Sequence, residues 1–255
     1  MDIVTIGGGE IADYETYRID EFIKSLTKKH RPNALFIPTA SGDAPGYCQN
    51  FSRLYGEQLG CEVDFVLAAA ADFDIRRAQK SIADADLIYV GGGNTQKMLS
   101  RWQETGISEA LINAGENGTI LSGISAGAIC WHAAGLSDSE KFSGDTNWKL
   151  TVVKAMNLLP GMFCPHLNAE LRHGALIDSV IETQVPAIAC DNGAGVHWDG
   201  ERAVAVTSLA GAYVYVFHPS GPHTTIHRFA DMDQVPLHLL HHDGLAQSES
   251  TDAQR

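Results

Sequence analysis

Residues 121–131 read Leu-Ser-Gly-Ile-Ser-Ala-Gly-Ala-Ile-Cys-Trp, and Gly123, Ser125 and Gly127 stand in G-x-S-x-G spacing. That spacing is the signature of a nucleophile elbow, a sharp strand-to-helix turn that exposes a serine hydroxyl at its apex. Glycine on either side removes the Cβ atoms that would obstruct such a turn. The amides opening the following helix, Ala126 among them, are free to bind a developing oxyanion. The chemistry implied is acyl transfer through a serine. The plain alternative is a small-residue turn with an incidental serine, and the pentapeptide alone does not separate the two.

An elbow serine needs a base and a second oxyanion donor. Gly91-Gly92-Gly93-Asn94-Thr95 closes an apolar run and opens a helical one. A turn of this kind presents backbone amides to an anion, and Gly92 is the candidate second donor. A nucleotide-phosphate reading fails here, because neither G-x-G-x-x-G nor Walker spacing is present; Gly7-Gly8-Gly9 fails the same test. Asn94 is a candidate substrate contact. Pro165-His166 follows another apolar run, so His166 is expected at a strand end in the same cleft, as a general base must be. His132 falls on the predicted helix after the elbow and turns away from its apex. His238, His241, His242 and Asp243 could bind metal, but no completing ligand set exists elsewhere, and a solvated chain end is the simpler reading. No metal is expected.

The elements that must position these groups alternate. Apolar runs at 3–6, 34–37, 61–66, 87–90 and 119–122 read as buried strands, with helical spacing at 17–28, 47–60, 75–83, 96–102 and 108–117. This pattern predicts an α/β fold: a mostly parallel central sheet with helices on both faces. A helix is predicted at 128–134 and another at 168–182, with a polar active-site loop at 135–148. Strands at 150–153 and 161–164 lie among these segments. The short strands from 187 onward (187–190, 195–198, 203–208, 212–217 and 224–229) are expected to be antiparallel and to complete one edge. Ligands should gather at the carboxyl edge of the parallel strands. Residues 1–243 are expected to form a single domain, with 244–255 a disordered acidic tail.

The 255 residues include 18 Lys and Arg against 31 Asp and Glu, a formal charge of −13, which disfavours binding to nucleic acid. Five scattered cysteines without C-x-x-C spacing argue for reduced thiols and a cytoplasmic setting rather than a disulfide frame. No apolar run approaches the ~18 residues of a membrane span, and no signal peptide is evident.

Taken together, GISAGAICW, YVGGGNT and LPGMFCPH resemble the dipeptidase E and cyanophycinase family of serine peptidases, over residues 3–229. The resemblance implies a class I glutamine amidotransferase-like α/β fold with serine in place of cysteine. It implies Ser125 as nucleophile, His166 as base, and the amides near Gly92 and Ala126 as oxyanion hole. In dipeptidase E the segment after the histidine is longer and carries glycine and arginine associated with selecting an N-terminal aspartate. Here residues 168–172 (Asn-Ala-Glu-Leu-Arg) keep only Arg172, so aspartyl specificity is not carried over. Arg172 remains a candidate contact for an acidic side chain or terminal carboxylate.

The expected activity is hydrolysis of short peptides by a Ser-His-acid triad, without a cofactor. Asp138, between Ser137 and Ser139, is the first candidate for the acid, with Glu140 and Asp191 as rivals. The runner-up functions are an amidase or esterase on the same fold, or an inactive binding or regulatory homologue. The expected partner is a short peptide substrate, with assembly as a homodimer left open.

Overall fold

The computed structural model describes residues 1–70, 72–143 and 146–240. Its first sheet is built from β1 (Ile3–Ile6), β2 (Asn33–Ile37), β3 (Glu62–Phe65), β4 (Leu87–Val90) and β5 (Ile120–Ile124), all parallel. A second group of strands follows: β6 (His132–Ser137), β7 (Thr151–Lys154), β8 (Leu159–Cys164) and β9 (Ala187–Cys190). The remaining strands are β10 (Ala194–Trp198), β11 (Ala203–Thr207), β12 (Val214–Ser220), β13 (His223–Phe229) and β14 (Gln234–Val235). The first sheet runs β14-β11-β10-β1-β5-β4-β2-β3, so the strands expected at 195–198 and 203–208 do extend one edge of a parallel core in antiparallel fashion. Those expected at 187–190, 212–217 and 224–229 instead enter a second sheet, where β9 runs parallel to β8, because their partners there are β8 and one another.

Burial on both faces explains why β1, β2 and β4 are almost wholly apolar. Along β1, β2 and β4 successive side chains alternate between two cores. Ile3, Leu35 and Ile88 face one, and Val4, Phe36 and Tyr89 the other. The second core is closed by the helix Tyr17–Leu26 through Ile19 and Ile23, and by Phe51 and Tyr55 from the helical segment that follows Pro45. The first core continues into a second sheet, ordered β13-β12-β9-β8-β6-β7, through Phe163, Ile188 and Val216. The far face of that sheet packs Leu136, Met162 and Phe217 against Leu176 and Val180 of the helix His173–Thr183.

The second sheet is where local pattern misleads. Residues 128–134 do not form a helix: the helix after the elbow is Ala126–Ile129, and β6 begins at His132. The backbone from Cys130 to His132 bonds across to Met156, Asn157, Leu158 and Leu159, which draws the chain into the second sheet instead of a further turn. β6 also claims the start of the expected polar loop, because Leu136 and Ser137 are buried. The predicted helix at 168–182 starts only at His173, since the Ala169 and Glu170 amides both fold back onto the His166 carbonyl. Among the described residues no helix is long and apolar enough to cross a membrane. The predicted tail at 244–255, and His241, His242 and Asp243, lie outside the described residues.

Candidate active site

Strands β1, β5 and β4 are neighbours with β5 between, so their carboxyl ends bring three sequence features to one edge. The elbow leaves β5. Ser125 has φ 55° and ψ −115°, a conformation that costs a non-glycine residue on the order of 1–3 kcal/mol and persists only where surroundings over-determine it. Here they do: the Ser125 amide donates to the Ile6 carbonyl at 3.0 Å, and its carbonyl accepts from Ala128 and Ile129 at 2.9 Å each. A Cβ at Gly123 would lie 2.2 Å from the Gly127 carbonyl oxygen, and one at Gly127 would lie 2.1 Å from that of Val90. Both glycines are therefore demanded by close packing of the turn.

His166 comes from the second sheet, just beyond β8, with its amide bonded to the Gly7 carbonyl at 3.2 Å. Its Nε2 stands 2.8 Å from Ser125 Oγ, and its Nδ1 stands 2.8 Å from Asn192 Oδ1. An amide oxygen only accepts, so Nδ1 carries the proton and the Nε2 lone pair faces the serine hydroxyl. Burial lowers the His166 pKa below its ordinary value, and the Arg172 cation pushes it the same way, against the Asn192 hydrogen bond and the Glu170 and Asp138 carboxylates. Asn192 lies where the chain passes from β9 to β10. Its amide donates to Asn168 Oδ1 at 2.8 Å, and the next amide, Gly193, donates to the Gly8 carbonyl at 2.8 Å. Gly8 faces this pair so closely that a Cβ there would sit 2.1 Å from Asn192 Oδ1 and 2.2 Å from His166 Nδ1.

The expected acids are engaged elsewhere. Asp138 pairs with Arg172 at 3.6 Å. Glu140 accepts the Lys149 amide at 3.2 Å. Asp191 is almost fully buried, and its carboxylate accepts the Tyr213 amide at 3.0 Å. Burial raises the Asp191 pKa, opposed by that amide, His173 and the Tyr215 side chain. The orienting partner of His166 is thus an amide, one residue beyond a predicted candidate. The signal was present in Asp191-Asn192-Gly193 at a strand end, but a search for carboxylates passes over it.

Arg172, expected at the substrate, is instead 1% exposed. Its guanidinium bonds Glu170 at 2.6 Å and the Leu136 carbonyl at 3.0 Å, in addition to Asp138. Asn94 caps the helix Thr95–Thr105 by accepting the Lys97 amide at 2.9 Å, and its amide group reaches the Ser139 carbonyl at 3.4 Å. Gly92 does lie beside the serine: a Cβ on it would be 3.9 Å from Ser125 Oγ. Its N–H, however, donates to the Tyr47 hydroxyl at 3.3 Å. Sequence reading had assigned Tyr47 no role. Gly7–Gly9, rejected as a phosphate loop, proves to be the wall behind His166 and Asn192.

An elbow serine hydrogen-bonded to an imidazole on a parallel α/β sheet defines the class as a serine hydrolase. The chain belongs to peptidase family S51, whose family model matches residues 3–206. It is 33% identical over 218 residues to the uncharacterized peptidase YgaJ of Bacillus subtilis, covering 84% of this chain and 90% of that one. It is 28% identical over 212 residues to peptidase E of Shewanella denitrificans, covering 78% and 83% of the two chains. The crystal structure of a peptidase from an acI-B1 actinobacterium superposes with a TM-score of 0.68 at 17% identity, covering 92% and 96%, which shows a shared fold. The protein is a peptidase of α/β architecture.

Proposed function

We propose that this peptidase hydrolyses short peptides with Ser125 as nucleophile and His166 as general base. The observation that carries the reading is the 2.8 Å contact between Ser125 Oγ and His166 Nε2 at a strained elbow. Ser125 Oγ attacks the scissile carbonyl carbon while its proton passes to Nε2. The tetrahedral oxyanion is held by backbone amides beside the elbow, that of Ala126 and that of Gly92 once its N–H turns from the Tyr47 hydroxyl. Collapse breaks the C–N bond, the leaving amine takes the proton from Nε2, and water repeats the cycle on the acyl-enzyme.

Restriction to short substrates is read from the segments at 135–148 and 166–172, expected to border the cleft and joined by Arg172. It ties Glu170, in the turn after His166, to Asp138, in the segment after β6, beside the base.

The test is a di- and tripeptide library assayed against wild type and Ser125→Ala, with fluorophosphonate labelling alongside. The expected result is cleavage of short peptides by wild type and loss of at least ~10⁴-fold in the folded variant. Wild-type turnover in Ser125→Ala, or cleavage of casein with no activity on any di- or tripeptide, would overturn the reading.

A further inference from the structure

We propose that Asn192 is the positioning residue for His166, a neutral amide serving where serine hydrolases ordinarily place a carboxylate. The inference rests on the reading of Ser125 and His166 given above and concerns what stands behind them.

The His166 ring is held at both nitrogens, and its Nδ1 partner is the Asn192 side-chain oxygen at 2.8 Å. The backbone that carries that oxygen is fixed from several directions. The Asn192 amide is tied to Asn168, Gly8 pairs with Asn192 as an isolated parallel bridge, and the absent Cβ of Gly8 leaves room for the contact. The carboxylates close in sequence or space are committed: Asp191 to the Tyr213 amide, Asp138 and Glu170 to Arg172.

An amide and a carboxylate do one job equally and another differently. Either accepts the Nδ1 proton, and so fixes the tautomer whose Nε2 lone pair faces Ser125. Only the carboxylate also stabilises the imidazolium through a full negative charge. A neutral orienter therefore keeps His166 a free base further into acid than an aspartate would, the nearby Arg172 cation being offset by Glu170 and Asp138. Cysteine peptidases of the papain type use the same substitution, with asparagine behind histidine.

The experiment follows inactivation by a fluorophosphonate probe, which needs no knowledge of the natural substrate. Ser125 Oγ bonds to phosphorus, fluoride leaves, and His166 takes the serine proton, so the rate against pH reports the free-base fraction of His166. Wild type, Asn192→Ala, Asn192→Asp and Asp138→Asn are compared, each with a thermal melt. Wild type is expected to lose reactivity only below the ordinary imidazole value of about 6.5. Asn192→Asp, which preserves shape, should move that acid limb upward by about one to three pH units through the added charge. Asn192→Ala should slow inactivation roughly 10²- to 10⁴-fold, with the acid limb near that of wild type.

An unmoved acid limb in folded Asn192→Asp overturns the assignment. So does wild-type inactivation of Asn192→Ala together with collapse in Asp138→Asn, which would return the role to the acid. If wild type is not labelled at Ser125 at all, the reading of the nucleophile fails instead, and the two failures are told apart.

Discussion

The hydroxyl of Tyr47 accepts the N–H of Gly92 at 3.3 Å, beside the serine that Gly92 would assist. Burial pushes the Tyr47 pKa up to about 12, so its own proton stays in place at neutral pH. The Gly92 N–H is thus spoken for, and the phenol that accepts it keeps a proton of its own to offer an oxyanion forming beside Gly92. Tyr47→Phe keeps the ring, which packs edge-on against Phe36 at 4.9 Å. A hydrogen bond to a charged group contributes about 1.5–3 kcal/mol, so kcat is expected to fall roughly 10- to 100-fold with little change in KM. Steady-state kinetics on a cleaved dipeptide checks this, and an unchanged kcat would remove Tyr47 from the site.

Gly8→Ala is expected to fold and to lose most of its turnover. The added methyl would meet Asn192 Oδ1 and the Nδ1 and Cε1 atoms of the His166 ring, so relief comes by turning His166 or Asn192 out of line. A melting curve near that of wild type, with a much reduced rate of fluorophosphonate labelling, is the expected pair of results.

Arg172→Gln should destabilise without selecting among substrates. The change leaves Glu170 and Asp138 without their shared cation, and both are partly exposed, which moderates the loss. Because the guanidinium lowers the His166 pKa, its removal should raise the acid limb of the pH profile. Acidic and neutral dipeptides should lose activity in equal proportion. A loss confined to acidic peptides would instead make Arg172 a substrate contact.

Two buried titratable groups set opposing slopes on stability. Burial raises Asp20 from 3.8 to about 7, against hydrogen bonds from Thr16 and Tyr55, and lowers His132 from 6.5 to about 4. The Asp20 contribution is full below pH 3.8 and is lost as pH rises through 7. The His132 contribution is full above pH 6.5 and is lost as pH falls through 4. Between about 4 and 6.5 the folded protein holds one extra proton at Asp20 and lacks one at His132, so these slopes cancel. Asp20→Asn should make stability rise with pH across that window, by up to about 1.4 kcal/mol per pH unit. His132→Phe should make it fall. Urea melts at pH 4.5, 5.5 and 6.5 measure both.

Much of the first sheet was legible because its strands are buried on both faces and read as unbroken apolar runs. Leu87–Val90, and Ala187–Cys190 in the second sheet, coincide with their predicted bounds. The elbow and His166 were legible for a similar reason, since each follows such a run. β6 was not, because His-Ala-Ala-Gly-Leu-Ser lacks branched or aromatic strand formers and is held as a strand by β7 and β8. The same limit hid Asn192 and Gly8, whose contact joins residues far apart in the chain. Arg172 read as a free substrate contact because Asp138, which shares it with Glu170, arrives from a segment far away in the chain.

Ser125 hangs from one sheet and His166 from the other, and 2.8 Å separates them. The site is thus a vernier for the seating of two layers on their shared core. A slippage too small to expose Phe163 or Ile188 already misaligns the proton transfer, since hydrogen bonds weaken steeply with distance and angle. Inactivation in mild denaturant should therefore run ahead of any loss of secondary structure. A substitution deep between the layers can silence the enzyme without touching the cleft.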